Sequence, residues 1–82
     1  MADPDQAVED RIEALIGREH ELRAHAEGRG LSDEEHAELR AAEVRLDQLW
    51  DLLRQRRALR SAGADPEGAQ IRSEDVVEHY RQ

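Results

Sequence analysis

Two apolar stripes of matching length, set on either side of two closely spaced glycines, constrain this chain more than any other feature. Val8, Ile12, Leu15, Leu22 and Ala26 recur at alternating steps of four and three, with Glu19 filling the one polar step. Leu39, Ala42, Leu46, Leu49 and Leu53 repeat the pattern, and Trp50 flanks it. Such steps are the seam of a heptad repeat, so each stripe predicts an amphipathic helix with one apolar side. Between the stripes, Gly28-Arg29-Gly30-Leu31 supplies the left-handed and turn conformations that end a helix, and the bend is expected there.

Local signals set the helix ends. Asp3 can accept the orphan amides of a first helix, Pro4 suits its first position, and Gln6 can reach back as in a capping box. Helix 1 is therefore expected over about 4–27. Ser32-Asp33-Glu34-Glu35 is a second capping box with acidic residues in the first turn, and Gly63 is a stop, so helix 2 is expected over about 33–61. A short bend between helices of similar length makes them antiparallel neighbours. Folding there pairs Leu22 with Leu39, Leu15 with Leu46, Ile12 with Leu49 and Val8 with Leu53. The same register sets the acidic opening beside Arg54, Arg56, Arg57 and Arg60.

Residues 63–72 carry Gly63, Asp65, Pro66 and Gly68 and read as an irregular connector. Ser73 can cap a short last helix over 73–82. In this polar tail Ile71, Val76, Val77 and Tyr80 form an apolar cluster, with Val76 and Tyr80 one turn apart. The tail is expected to dock on a helical surface, with Tyr80 and Val76 or Val77 as anchors.

With 82 residues, a net charge of −8 and just under a fifth of its residues Leu, Ile or Val, the chain borders on disordered composition. Only the placement of those residues on helix faces argues for a fold. A single core of this size is marginal, and Ile16, Leu52 and Leu59 remain off the seams, so two hairpins are expected to dimerise into a four-helix bundle. There is no Cys, and no apolar run approaches the length of a membrane span. A cytoplasmic protein is the expectation.

Glu19 and His20 interrupt the first seam, where a polar residue can mark a ligand site. The small Ala41 and Ala42 opposite leave room for Glu19 to reach solvent, and Arg23 lies one turn on, which predicts a solvated ion pair. His20, Glu21, His25, Glu35 and His36 gather near the bend, and His with carboxylate is metal-ligand chemistry. Yet His20 and His25 stand about 140° apart around the helix, and no His-Glu-x-x-His or Glu-x-x-His pair is present. No metal or cofactor is expected. The arginines of 54–60 could contact phosphates, but the acidic charge and the presence of only two aromatic residues oppose nucleic-acid binding. Ion pairs of Arg56 and Arg60 with Asp3, Asp5 or Glu9 on the surface are the expected use. For catalysis, Ser32 and Ser73 fall at helix starts, there is no Thr, and no glycine-rich phosphate loop or Ser/His/Asp spacing occurs.

Glu19-His20-x-Leu22-Arg23, Gly30-Leu31-Ser32, the run Val44-x-Leu46-Asp47-Gln48-x-Trp50-Asp51-Leu52-Leu53-Arg54-Gln55-Arg56-Arg57-Ala58, Asp65-Pro66 and Val77-Glu78-x-Tyr80 together resemble a family of small actinobacterial proteins, domain of unknown function 2630. The resemblance covers almost the whole chain and implies a shared helical build without an assigned activity. The central run is more specific than hairpin packing requires, and a partner surface is its simplest explanation.

These readings converge on an all-α antiparallel two-helix hairpin over 1–62, acting as a non-enzymatic interaction or structural module. Trp50, Leu52, Arg54, Arg56, Arg57, Leu59, Arg60 and Tyr80 are its candidate interaction surface, toward a second copy and an unknown protein partner. The competing readings are a nucleic-acid-associated or transcription-linked regulator using Arg54 to Arg60, and a carboxylate/histidine metal-binding bundle centred on Glu19 and His20.

Overall fold

The computed structural model describes residues 4–74, 76 and 77. Helix α1 spans Pro4–Arg29, helix α2 spans Asp33–Ser61, and a short 3-10 turn follows at Pro66–Gly68, with no strand among the described residues. At 1.5 Å per residue the helices are about 39 and 43 Å long. They lie antiparallel and make one layer: the molecule measures 50 × 32 × 16 Å, and its thinnest dimension is little more than one helix.

The helix ends follow local chemistry. Ser32 caps α2: its Oγ accepts from the Glu35 amide at 3.1 Å, while Glu35 Oε1 accepts from the Ser32 amide at 3.1 Å. The same Glu35 carboxylate takes both terminal nitrogens of Arg29 at 2.9 Å, so one side chain closes the bend from both sides. Hydrogen bonds from Arg29 and from the Ser32 backbone hold the Glu35 carboxyl well below the usual carboxylate range. At the far end of α2, the Gly63 amide donates to the Arg60 carbonyl and the Ala64 amide to the Leu59 carbonyl. With Gly63 at φ 75° this is a Schellman closure.

Helix α1 runs two residues beyond its expected end. Gly28 stays helical, and the second glycine, Gly30, takes the left-handed position at φ 75° while its amide donates to the Ala26 carbonyl at 3.0 Å. A glycine breaks a helix only where the chain needs positive φ, and one such residue suffices. The expected cap at Asp3 lies outside the described residues. Gln6 points forward and donates to Asp10 at 2.9 Å instead of reaching back.

The core follows the predicted register. Ile12, Leu46, Leu49 and Leu53 form one buried cluster, with Val8 and Leu15 packed against it, and Leu22 and Ala42 continue the burial toward the bend. Cross-hairpin ion pairs agree: Arg18 with Glu38 and Arg23 with Glu43 link the two helices at 2.6 and 3.5 Å.

The connector does not hang free. Asp65 caps the 3-10 turn by accepting from the Glu67 amide at 3.0 Å, after which the chain returns along α2. Gln55 reads the backbone of Gln70 on both sides, donating to its carbonyl at 2.7 Å and accepting from its amide at 3.3 Å. Two turns further back, Gln48 donates to the Arg72 carbonyl at 3.2 Å. Ser73 accepts from the Val76 amide at 3.4 Å, the cap expected of it. Val77 is buried while Val76 stays exposed, so Val77 is the anchor of the pair; Tyr80 lies outside the described residues.

Candidate interaction surfaces

The polar residues of the central run divide into those that hold the molecule together and those that face outward. Gln48, Asp51 and Gln55 recur at three and four along α2, which puts them on one side of the helix. Asp51 is completely buried there. Arg72 grips it with two hydrogen bonds, at 2.8 and 2.6 Å, Gln55 donates to it at 2.8 Å, and Arg54 stands 4.0 Å away. The Arg72 contact holds the Asp51 carboxyl below its ordinary range against the opposing effect of burial. Gln48, Asp51 and Gln55 of the motif thus have an intramolecular role, the docking of residues 70–72, that hairpin packing alone does not call for.

Arg56 departs from its expected place. It was expected in a surface ion pair, yet only 7% of it is exposed. Its Nε donates to Asp5, its Nη1 donates to the Pro66 carbonyl at 3.2 Å, and its Nη2 lies 3.5 Å from Glu67. One guanidinium therefore joins the start of α1, the end of α2 and the 3-10 turn. Arg60 adds a 2.9 Å contact to the same Asp5, and Arg57 reaches Glu9 at 3.5 Å. The predicted charge complementarity is present, but it centres on a buried Asp5 because the connector folds over Arg56.

Glu19 is likewise buried instead of reaching solvent. It keeps its place on the inner side of α1, and Arg23, one turn on, lies over its carboxylate at 3.4 Å while also approaching Glu43 at 3.5 Å. His20 beside it is exposed. His25 stands 3.4 Å from Glu35, whose oxygens Arg29 already holds, and among the described residues no three His, Asp or Glu side chains converge as a metal ion would require.

Of the other predicted surface residues, Trp50, Arg54, Arg57 and Arg60 are exposed and Leu52 is half-buried. Leu59 is half-buried against the connector, where a Cβ on Gly68 would lie 3.8 Å from its Cδ1. The residues that sequence reasoning missed are Asp51, Gln48 and Gln55; their spacing along one helix side was the available signal.

The structure also opens a groove of about 720 Å³ between the helices. Leu15 of α1 and Ala41 and Val44 of α2 form its floor, and Arg11, Arg40 and Arg45 stand around it. Each of these three arginines lacks a carboxylate partner among the described residues. Arg18, also at its edge, is held by Glu38 and by Glu21 at 2.8 Å.

Four carboxylates, Asp5, Glu35, Glu38 and Asp51, are held below the ordinary range chiefly by arginine contacts. A carboxylate with a depressed folded-state pKa contributes stability that is fully present above its unfolded value, about pH 4. That contribution is lost as pH falls through the folded value. Thermal melts should therefore be nearly flat from about pH 7 to 5 and fall steeply below about pH 4. Asp5→Ala should be less stable at neutral pH and show a shallower acid limb. A melting temperature that climbs steadily into acid, as relief of the negative net charge alone would give, would refute this.

Comparison with known proteins finds relatives that are themselves uncharacterised. The chain is 51% identical over 70 residues to the uncharacterised protein Mb0922c of Mycobacterium bovis, covering 84% of this chain and 80% of that one. It has the same identity and coverage with the uncharacterised protein Rv0898c of Mycobacterium tuberculosis. No solved structure matches it. No helix among the described residues is long and apolar enough to cross a membrane. The resemblance seen in the sequence motifs extends over residues 4–82, and the chain belongs to the family described as Protein of unknown function (DUF2630).

Proposed function

We propose that this protein is a non-enzymatic helical-hairpin interaction module that works in the cytoplasm as a homodimer and presents one face of the hairpin to another protein. The groove carries this reading. Every other described arginine stands within 4.0 Å of a carboxylate. Arg11, Arg40 and Arg45 surround an apolar floor without such a partner, in a chain of net charge −8. Uncommitted cations beside an apolar stripe suit a partner that is acidic along one edge and apolar along the next, the chemistry of an acidic amphipathic helix. The small Ala41 side chain favours close approach of such a helix. The nucleic-acid reading is weakened by the burial of Arg56 and by the Asp5 and Glu9 contacts of Arg60 and Arg57.

The test uses the full chain, immobilised and exposed to a lysate of the native host. The wild type should retain a protein partner in a salt-sensitive manner, and Ala41→Glu combined with Arg45→Glu should lose it. Identical retention by both would remove the groove from the reading. Retention of duplex DNA at physiological salt, abolished by Arg57→Ala with Arg60→Ala, would replace it with the nucleic-acid regulator.

A further inference from the structure

The two helices carry the same seven-residue pattern on the face away from the groove. On α1 it is Glu9, Ile16, Arg23; on α2 it is Glu43, Trp50, Arg57. Because the helices are antiparallel, the patterns run in opposite directions, and the contacts Glu9 with Arg57 and Arg23 with Glu43, both at 3.5 Å, close the two ends. Ile16 and Trp50, midway on each helix, are thereby set at the same level between these ion pairs. They are also the two large apolar side chains of the helices that stay exposed, at 36% and 40%.

We propose that this face binds a second copy of the chain, with Ile16 and Trp50 at the centre of the interface. Its charge arrangement is self-complementary. A two-fold axis lying in the face, whether along or across the helices, places the glutamates of one copy over the arginines of the other and the apolar pair over the apolar pair. The groove face lacks this self-complementarity: Arg11, Arg40 and Arg45 stand around it without a carboxylate partner among the described residues, so two such faces would add like charge to like. A layer 16 Å thick has one side to give to a second layer, and pairing through Ile16 and Trp50 completes a two-layer bundle while leaving both grooves outward. This rests on the homodimer reading above and adds the face and its chemistry.

Sedimentation equilibrium of the full chain in the micromolar range tests it, with far-UV circular dichroism to check that each variant remains helical. The wild type should be dimeric, and emission from Trp50, the single tryptophan, should shift to the red on dilution. Ile16→Glu and Trp50→Glu should each weaken association at least about thirtyfold, the effect of losing a central anchor, while keeping their helicity. Arg45→Glu, on the opposite face, should remain dimeric. A dimer that survives both Ile16→Glu and Trp50→Glu would overturn this face while leaving the homodimer standing. Loss of the dimer in Arg45→Glu alone would also overturn it, by moving the contact to the groove. A wild type that is a folded monomer throughout would overturn both the face and the homodimer.

Discussion

Replacing Arg72 by alanine should destabilise the protein by about 3 kcal/mol and lower its melting temperature by roughly 10 to 20 °C. Asp51 is wholly buried, and Arg72 supplies two of its close hydrogen bonds. Without Arg72 the carboxylate keeps Gln55 and the more distant Arg54, too little to offset its desolvation. The chain has one escape: residues 70–72 can lift off α2 and let water reach Asp51. The loss is then limited to what docking of the connector contributes, and it should appear as faster hydrogen exchange at the Gln70 amide. Asp51→Ala should cost less, because the Arg72 side chain is already 35% exposed and can turn its charge to solvent. Chemical denaturation of the two variants gives the comparison directly. Equal losses, or a greater loss for Asp51→Ala, would mean that the pair does not hold the connector in this way.

Leu53→Ala should be as damaging, at about 3 kcal/mol, within the range for a buried leucine truncated to alanine. Leu53 is 1% exposed and shares its cluster with Ile12, Leu46 and Leu49. On an inner helix face, backbone hydrogen bonding keeps the two helices from closing freely around the lost methyl groups, so a cavity remains. A chain of this length has a total stability of roughly 4 to 12 kcal/mol, and this one substitution removes a large part of it. Leu15→Ala, at a half-buried position, should cost less than half as much. Both should be measured at one protein concentration, because self-association adds to apparent stability. A Leu53→Ala variant within experimental error of the wild type would show that the cluster does not carry the fold.

The polar residues divide the legible from the illegible. Glu35 was readable as half of a capping box because its partner, Ser32, lies three residues away and the geometry is that of any helix start. Its second role, holding Arg29 across the bend, needed the path of the chain between the helices. Arg56 was readable as a partner for the acidic N-terminus from the antiparallel register alone. Its burial was not, because the 3-10 turn that covers it comes from a connector whose composition says only that it is irregular. The outward Trp50 was placed correctly beside the seam, whereas Leu59, expected on the surface offered to a second copy, is half-buried where it meets that same connector.

The sequence by itself determined, to within two residues, where the helices begin and end, and also which side of each turns inward and how the two are paired. Caps, glycines with positive φ and three-to-four periodicity act over a few residues, and the antiparallel register follows from a short bend. Tertiary structure alone decided the environment of Asp51, Arg56 and Glu19. On an isolated helix each would be a solvated polar side chain; Asp51 is buried because residues 70–72 lie over it, Arg56 because the Pro66–Gly68 turn does, and Glu19 because it shares with Ile12 and Leu22 the side of α1 that packs on α2. Burial is a property of what covers a residue, and for Asp51 and Arg56 the cover comes from 10 or more positions along the chain, beyond the reach of local pattern.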